Sequence, residues 1–280
     1  MTPDGKIDLP AIVSLLAHFR SAGCKGIVLA GTNGEGPSLS AVEKRDLIRA
    51  AVPIFPDFAV ISGIATPSLE EAIWLSQQSQ KAGAVAGLVM PPGYFREASC
   101  NGIVQWFEKL MDASDLPILV YNFPQRTGIT LTPEMVSSLA QHPRMLGLKD
   151  SSGEESNLTG YAKALEGHDK CLFVGNETLL WKALEAGWSG TISGAANVLA
   201  TWLAKVVEEY FAGERESASV KFQLALKGIE ALRGVPQPGL NKAILHRRGV
   251  LPHPSLRLPL EEPDAKQADE VLEKLAGLLV

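Results

Sequence analysis

Apolar positions along the chain follow two alternating patterns. Residues 26–30, 58–62, 87–90, 117–121, 145–149, 172–174 and 190–193 form short runs that are apolar almost throughout, the signature of strands buried on both faces. Each is followed by a stretch with apolar residues every three or four positions, at 40–52, 68–82, 99–112, 132–141, 154–165, 178–186 and 198–211. A further stretch of this kind, at 9–22, precedes the first run; Asp8 is its predicted N-cap and Gly23 its stop. The repeat recurs at roughly 30 residues in most cases, the size of a βα unit.

Strands that are always followed by helices predict a parallel sheet covered by helices. Seven runs are one short of a (β/α)8 TIM barrel, and an open doubly wound sheet is the competing arrangement. Units of even size, and polar or glycine-rich residues after nearly every run, favour the barrel, whose βα loops converge on one catalytic face. Beyond residue 213 the pattern is helical only, at 215–232, 241–248 and 264–279, with Gly234-Val235-Pro236-Gln237-Pro238-Gly239 as a separator. The expected organisation is a barrel over 1–213 and a C-terminal helical extension over 214–280.

Composition narrows the function classes. A chain of 280 residues that is 46% hydrophobic and 20% charged can bury one large core. A net charge of -5 provides no basic stripe, so no nucleic-acid partner is expected. No apolar run approaches the roughly 20 residues of a membrane span, so no membrane partner is expected either. Residues 1–6 lack the basic and apolar regions of a signal peptide. Cys24, Cys100 and Cys171 are odd in number and widely spaced, which predicts reduced thiols and a cytoplasmic protein.

The candidate chemistry lies after the strands. Gly147-Leu148-Lys149-Asp150-Ser151-Ser152 delivers one lysine to a strand end. Alternation places Met145, Gly147 and Lys149 on one face and Leu146, Leu148 and Asp150 on the other, with Gly147 leaving room beside the lysine. In a water-poor interior a neutral amine is favoured over an ammonium and can attack a carbonyl; the plainer alternative is a solvated lysine paired with Asp150. Tyr121 ends the preceding strand, as a proton shuttle or as a tyrosine anchoring the strand through its hydroxyl. Thr32, Asn33, Tyr94, Asn122, Gly175, Ile192 and Gly194 complete the inventory of strand ends. Gly31-Thr32-Asn33-Gly34-Glu35-Gly36 is a turn whose N–H groups suit a carboxylate, or one shaped by geometry alone; it is neither a Walker A loop nor a dinucleotide fingerprint. Turns at Gly175-Asn176 and 190–194 leave a phosphate-binding barrel enzyme as an alternative. The five histidines are scattered without ligand spacing, so no metal is expected.

Taken together, Gly31-Thr32-Asn33-Gly34-Glu35, Tyr121-Asn122-Phe123-Pro124-Gln125-Arg126-Thr127-Gly128, Gly147-Leu148-Lys149-Asp150-Ser151-Ser152 and Gly190-Thr191-Ile192-Ser193-Gly194-Ala195-Ala196-Asn197 resemble the dihydrodipicolinate synthase/N-acetylneuraminate lyase family in order and spacing. The resemblance runs from about Asp4 to the last helices. It implies a (β/α)8 barrel with a C-terminal helical segment, usually a homotetramer built as a dimer of dimers. It also implies a Schiff-base lyase or aldolase in which Lys149 forms an imine with pyruvate, with no separate cofactor. Tyr121 matches the proton-shuttling tyrosine, Thr32 the hydroxyl that holds the pyruvyl carboxylate, and Tyr94 a second tyrosine that relatives lend across a subunit interface. Asn33, Gly175 and Ile192 fall at substrate-binding positions, and Arg126 matches the arginine that grips the carboxylate of aspartate semialdehyde.

The implied substrates are pyruvate and an aldehyde, or a 2-oxo-acid aldol. The 4-hydroxy-tetrahydrodipicolinate synthase reaction ranks first, ahead of 4-hydroxy-2-oxoglutarate or 2-keto-3-deoxy sugar-acid aldol cleavage, with a silent pyruvate-binding paralogue more remote. Asn33 stands where the family usually has a second threonine, and Gly36-Pro37-Ser38-Leu39-Ser40 resembles the sugar-acid aldolases. Gly93 replaces a tyrosine common before Tyr94. The histidines and asparagine of a lysine effector site are absent around 41–67, so feedback inhibition by lysine is not expected. Residues 2–8 resemble the segment after the family's first strand. That strand is therefore expected to be missing from this chain, the natural protein to start roughly ten to fifteen residues upstream, and the sheet to be open between Gly26 and Gly190.

Overall fold

The computed structural model describes residues 1–279. All seven runs are strands of one parallel sheet, hydrogen-bonded in sequence order: β1 (Gly26–Leu29), β2 (Ala59–Ile64), β3 (Ala86–Val89), β4 (Ile118–Asn122), β5 (Met145–Asp150), β6 (Cys171–Val174) and β7 (Gly190–Thr191). Around it lie α1 (Ala11–Ser21), α2 (Ala41–Ala51), α3 (Leu69–Ala82), α4 (Cys100–Asp112), α5 (Pro124–Thr127), α6 (Pro133–Ala140), α7 (Ser156–Ala164), α8 (Leu180–Glu185) and α9 (Ala196–Phe211). The chain closes with α10 (Arg215–Ala231), α11 (Gln237–Arg247) and α12 (Ala265–Leu275). No described helix is long and apolar enough to cross a membrane.

Period-two alternation sorts the strand residues into two layers. Val89, Ile118, Val120, Leu148, Leu172 and Val174 pack outward into the helical core, while Leu88, Leu119 and Tyr121 pack inward with Val28, Ile61, Phe173 and Ile192. Val28 of β1 and Ile192 beyond β7 meet the same inner cluster, so the sheet is curled like a TIM barrel. Its two edges are β1 and β7, and no ladder joins them among the described residues. This is the opening expected between Gly26 and Gly190.

Local departures from the sequence reading have physical causes. Helix α1 starts at Ala11 rather than Leu9, with Pro10 at the N-cap; the Asp8 carboxylate still accepts the Ala11 N–H at 3.2 Å. In β5 a register shift opposite Ile118/Leu119 leaves Leu146 out of the ladder, and Met145 joins Leu148 in the outer core instead of sharing the face of Lys149. Gly147 makes room for the neighbouring strand rather than for the lysine: an added Cβ would stand 1.9 Å from the Cys171 carbonyl oxygen. Helix α11 begins at Gln237 and absorbs the proline-rich separator, because Pro238 falls in its first turn, where a missing N–H has no partner to lose.

One C-terminal residue ties the ends of the chain to the sheet. The Arg257 guanidinium donates to both Glu43 carboxylate oxygens at 2.8 and 2.9 Å, to the Gly5 carbonyl at 2.6 Å and to the Ser38 carbonyl at 2.9 Å. Glu43 also completes a capping box with Ser40 at the start of α2. The guanidinium holds the Glu43 carboxyl at about 2, against an ordinary 4.5. A depressed carboxyl pKa contributes stability above the unfolded value and loses it as pH falls toward the folded one. The Arg257→Ala chain is therefore expected to melt below the parent at neutral pH, with the gap narrowing between about pH 4.5 and about 2. Melting curves followed by circular dichroism across that range check it; a gap independent of pH would show that Arg257 acts through its carbonyl contacts alone.

Candidate active site

Strand ends β4 and β5 assemble the central pair. The ladder sets Tyr121 opposite Lys149 and Asn122 opposite Asp150, so alternation turns the first pair into the lumen and the second outward. Lys149 is 8% exposed and Tyr121 4%. The Lys149 ammonium nitrogen stands 4.2 Å from the centroid of the Tyr121 ring, a cation–π contact, and among the described residues it forms no ion pair. The Tyr121 ring also stacks on Phe123 at 5.7 Å. Ser151 Oγ donates to the Tyr121 hydroxyl at 3.2 Å.

Asp150 does not pair with the lysine, because its carboxylate is held on the outer side. Asn122 Nδ2 at 2.7 Å and the Ser152 N–H at 3.1 Å donate to one oxygen, the Ser152 hydroxyl at 2.7 Å and Asn157 Nδ2 at 3.4 Å to the other. Asn122 Oδ1 in turn accepts the Leu131 N–H at 3.0 Å, and the Leu131 carbonyl accepts the Tyr161 hydroxyl at 2.5 Å. Burial, reinforced by the negative charge of Asp150, pushes the Tyr161 phenol well up, so it remains a donor throughout the working pH range. This network fixes the ends of β4 and β5 and the angle at which Lys149 and Tyr121 enter the lumen.

Other expected site residues are distributed around this pair. Gly175 is where the lysine finds its room: a Cβ there would lie 2.9 Å from Lys149 Cε and 1.9 Å from Ser151 Oγ. Ile192 packs in the same inner cluster as Tyr121. The Thr32 hydroxyl is buried without a partner among the described residues, an open hydrogen-bonding capacity beyond the end of β1. Asn33 Oδ1 accepts from Asn241 Nδ2 of α11 at 3.1 Å. Arg126 lies on α5, exposed, with its guanidinium 5.9 Å from the Phe123 ring centroid. Tyr94 is not brought to Lys149 within the chain; it is 79% exposed and packs edge-on against Phe95 at 5.2 Å.

Two participants escaped the sequence reading. Ser151 is the next inward position after Lys149, so period-two counting carried the signal. Asn241 had none, since its partner Asn33 is 208 residues away in the chain. The β1 turn it meets is itself constrained: Glu35, at φ 56°, is 1% exposed, pairs with the Lys242 ammonium and accepts the Arg257 N–H at 2.7 Å.

The 4-hydroxy-tetrahydrodipicolinate synthase of Corynebacterium jeikeium is 35% identical over 276 residues, covering 97% of this chain and 89% of the relative. The enzyme of the same name from Pseudoalteromonas atlantica is 32% identical, covering 100% of this chain and 96% of the relative. Among solved structures, a prophage protein of the dihydrodipicolinic acid synthase family from E. coli K12, in complex with pyruvate, superposes with a TM-score of 0.93 at 26% identity, covering 99% of this chain and 95% of that one. The Dihydrodipicolinate synthetase family profile matches residues 1–277, and the chain belongs to that family of enzymes.

Proposed function

We propose that the chain is a class I, Schiff-base lyase that joins pyruvate to an aldehyde, and that aspartate semialdehyde is the aldehyde, which makes the reaction that of a 4-hydroxy-tetrahydrodipicolinate synthase. The observation that carries the reading is a buried lysine with no carboxylate partner among the described residues, set against a tyrosine whose hydroxyl is already in a hydrogen bond. The names of the relatives and the pyruvate bound by the prophage protein support it.

The Lys149 amine adds to the pyruvate carbonyl carbon, and the hydroxyl of the resulting carbinolamine leaves as water once it is protonated. Tyr121 passes the protons for both events, with Ser151 holding its hydroxyl in place. The resulting iminium withdraws the electron pair released when Tyr121 takes a methyl proton, and the enamine so formed attacks the aldehyde carbon, whose oxygen receives that proton from Tyr121. The amino group that aspartate semialdehyde brings into the adduct then attacks the imine carbon, which closes the ring and expels the lysine amine. The unpartnered Thr32 hydroxyl faces the pyruvyl carboxylate, and Tyr94 completes the relay from a second copy of the chain, in keeping with its exposure. Such an assembly is a homotetramer. A second reading, aldol cleavage of 4-hydroxy-2-oxoglutarate or a 2-keto-3-deoxy sugar acid, is favoured by Asn33 in place of a second threonine.

Borohydride added with pyruvate is expected to leave a reduced pyruvyl adduct on Lys149, located by peptide mass spectrometry and lost in Lys149→Ala. An unmodified Lys149 after complete reduction would refute the imine. In Gly175→Ala the added methyl group overlaps Ser151 Oγ and crowds Lys149 Cε, so adduct yield should drop sharply while the chain still melts cooperatively. Full adduct yield in that variant would mean that the lysine is not confined by the β6 turn. Arg126→Ala should weaken kcat/KM for aspartate semialdehyde by about 1.5–3 kcal/mol, as expected for a lost charged hydrogen bond, and leave pyruvate trapping intact. Steady-state kinetics with varied semialdehyde decides this; an unchanged value removes the carboxylate clamp from the mechanism.

A further inference from the structure

One side chain spans the two edges of the sheet at its catalytic end. Asn241, on α11, is 2% exposed; its Nδ2 donates to Asn33 Oδ1 at 3.1 Å, beyond β1, and to the Gly194 carbonyl at 3.2 Å, beyond β7. Gly194 has no space for a side chain, since an added Cβ would stand 2.6 Å from Asn33 Nδ2 and 2.5 Å from Gln237 Oε1. Three carboxamides, one from the β1 turn and two from α11, thus close over the end of β7. Asn241 Oδ1 is buried with no partner among the described residues, an arrangement that costs stability and that an apolar residue of the same shape would avoid.

A carboxamide can rotate so that either its oxygen or its nitrogen faces a given neighbour. Because Asn241 presents a donor, Asn33 turns its oxygen to the clasp, and its Nδ2 is left over Gly194 without a protein partner among the described residues. We infer that Asn241 is a positioning residue: it fixes Asn33 as a hydrogen-bond donor at the mouth of the lumen, so that the second substrate is recognised through an oxygen acceptor there. This rests on the reading that Lys149 binds pyruvate. Asn241 itself touches no substrate, so its effect belongs in the affinity for the aldehyde and not in imine formation.

A double-mutant cycle tests it, with Asn241→Leu and Asn33→Ala alone and combined, assayed with pyruvate against aspartate semialdehyde, glyoxylate and D-glyceraldehyde. Rates are normalised to the fraction of chains that borohydride traps on Lys149. The expected result is a rise of roughly tenfold in KM for the best aldehyde in Asn241→Leu, with kcat little changed, and almost no further rise when Asn241→Leu is added to Asn33→Ala. Equal effects in both backgrounds, or an unchanged KM, would overturn the inference, because a merely structural residue lowers the melting temperature without caring what stands at position 33. Should the leucine variant not fold, Asn241→Ala removes the donor without adding bulk and is read in the same way. A parent enzyme that traps no pyruvate would overturn the lyase reading and this inference with it, whereas trapping with an unchanged KM would overturn the clasp alone.

Discussion

A lysine can be buried beside a carboxylate-bearing neighbour and still lack a counter-ion only if something else occupies the carboxylate, and here that constraint organises the centre of the sheet. Asp150 follows Lys149 directly, yet donors from Asn122, Ser152 and Asn157 converge on it from the outer side. The pleat separates the two side chains, and the network keeps them separated. An ion pair would engage the Lys149 side chain strongly; the Tyr121 ring offers a weaker contact, 4.2 Å from nitrogen to ring centroid, that an incoming group can displace. Supporting side chains thus act on the lysine by withholding a partner from it.

A second constraint comes from the sheet's two edges. With no ladder between β1 and β7 among the described residues, β1 is paired on one side only, with β2, and its turn has no second strand to fix its position. It is held instead from the C-terminal segment, through Lys242 and the Arg257 backbone on Glu35, the Arg257 guanidinium on Glu43 and Ser38, and Asn241 on Asn33. Charged contacts sit where burial makes a misplaced partner expensive, which defines the geometry of the turn more sharply than apolar packing would. The helices after β7 therefore belong to the working end of the sheet.

The sequence made the sheet and the central pair legible because both rest on local rules. Short runs that are apolar almost throughout located every described strand, and four motifs in register pointed to Lys149 and Tyr121. What stayed hidden depends on neighbours distant in the chain. The bulge at Leu146 is a mismatch between β5 and β4, invisible in either strand alone, and it moved Met145 to the other face. The start of α11 was hidden because prolines read as breakers, whereas in a first turn they are tolerated. Gly147 was read correctly as a close approach but assigned to the wrong neighbour; only the register with β6 shows that the Cys171 carbonyl fills that space and that Gly175 serves the lysine.

The aldehyde partner is where the two kinds of information pull apart. Arg126 is exposed at the mouth with its guanidinium beside Phe123, so a carboxylate that reaches it gains a charged contact partly screened by water. Asn33 lies deeper in the turn, where a neutral donor is held by a buried partner and meets less competition from solvent. A long substrate with a charged end loads the outer contact, while a short or hydroxylated one loads the inner contact. Because the arginine is exposed to solvent and the carboxamide is clamped, the inner contact discriminates by geometry and the outer one by charge. Under the lyase chemistry proposed above, selectivity follows from the length of the aldehyde measured from the enamine carbon, which sets which of the two contacts its distal oxygen can reach.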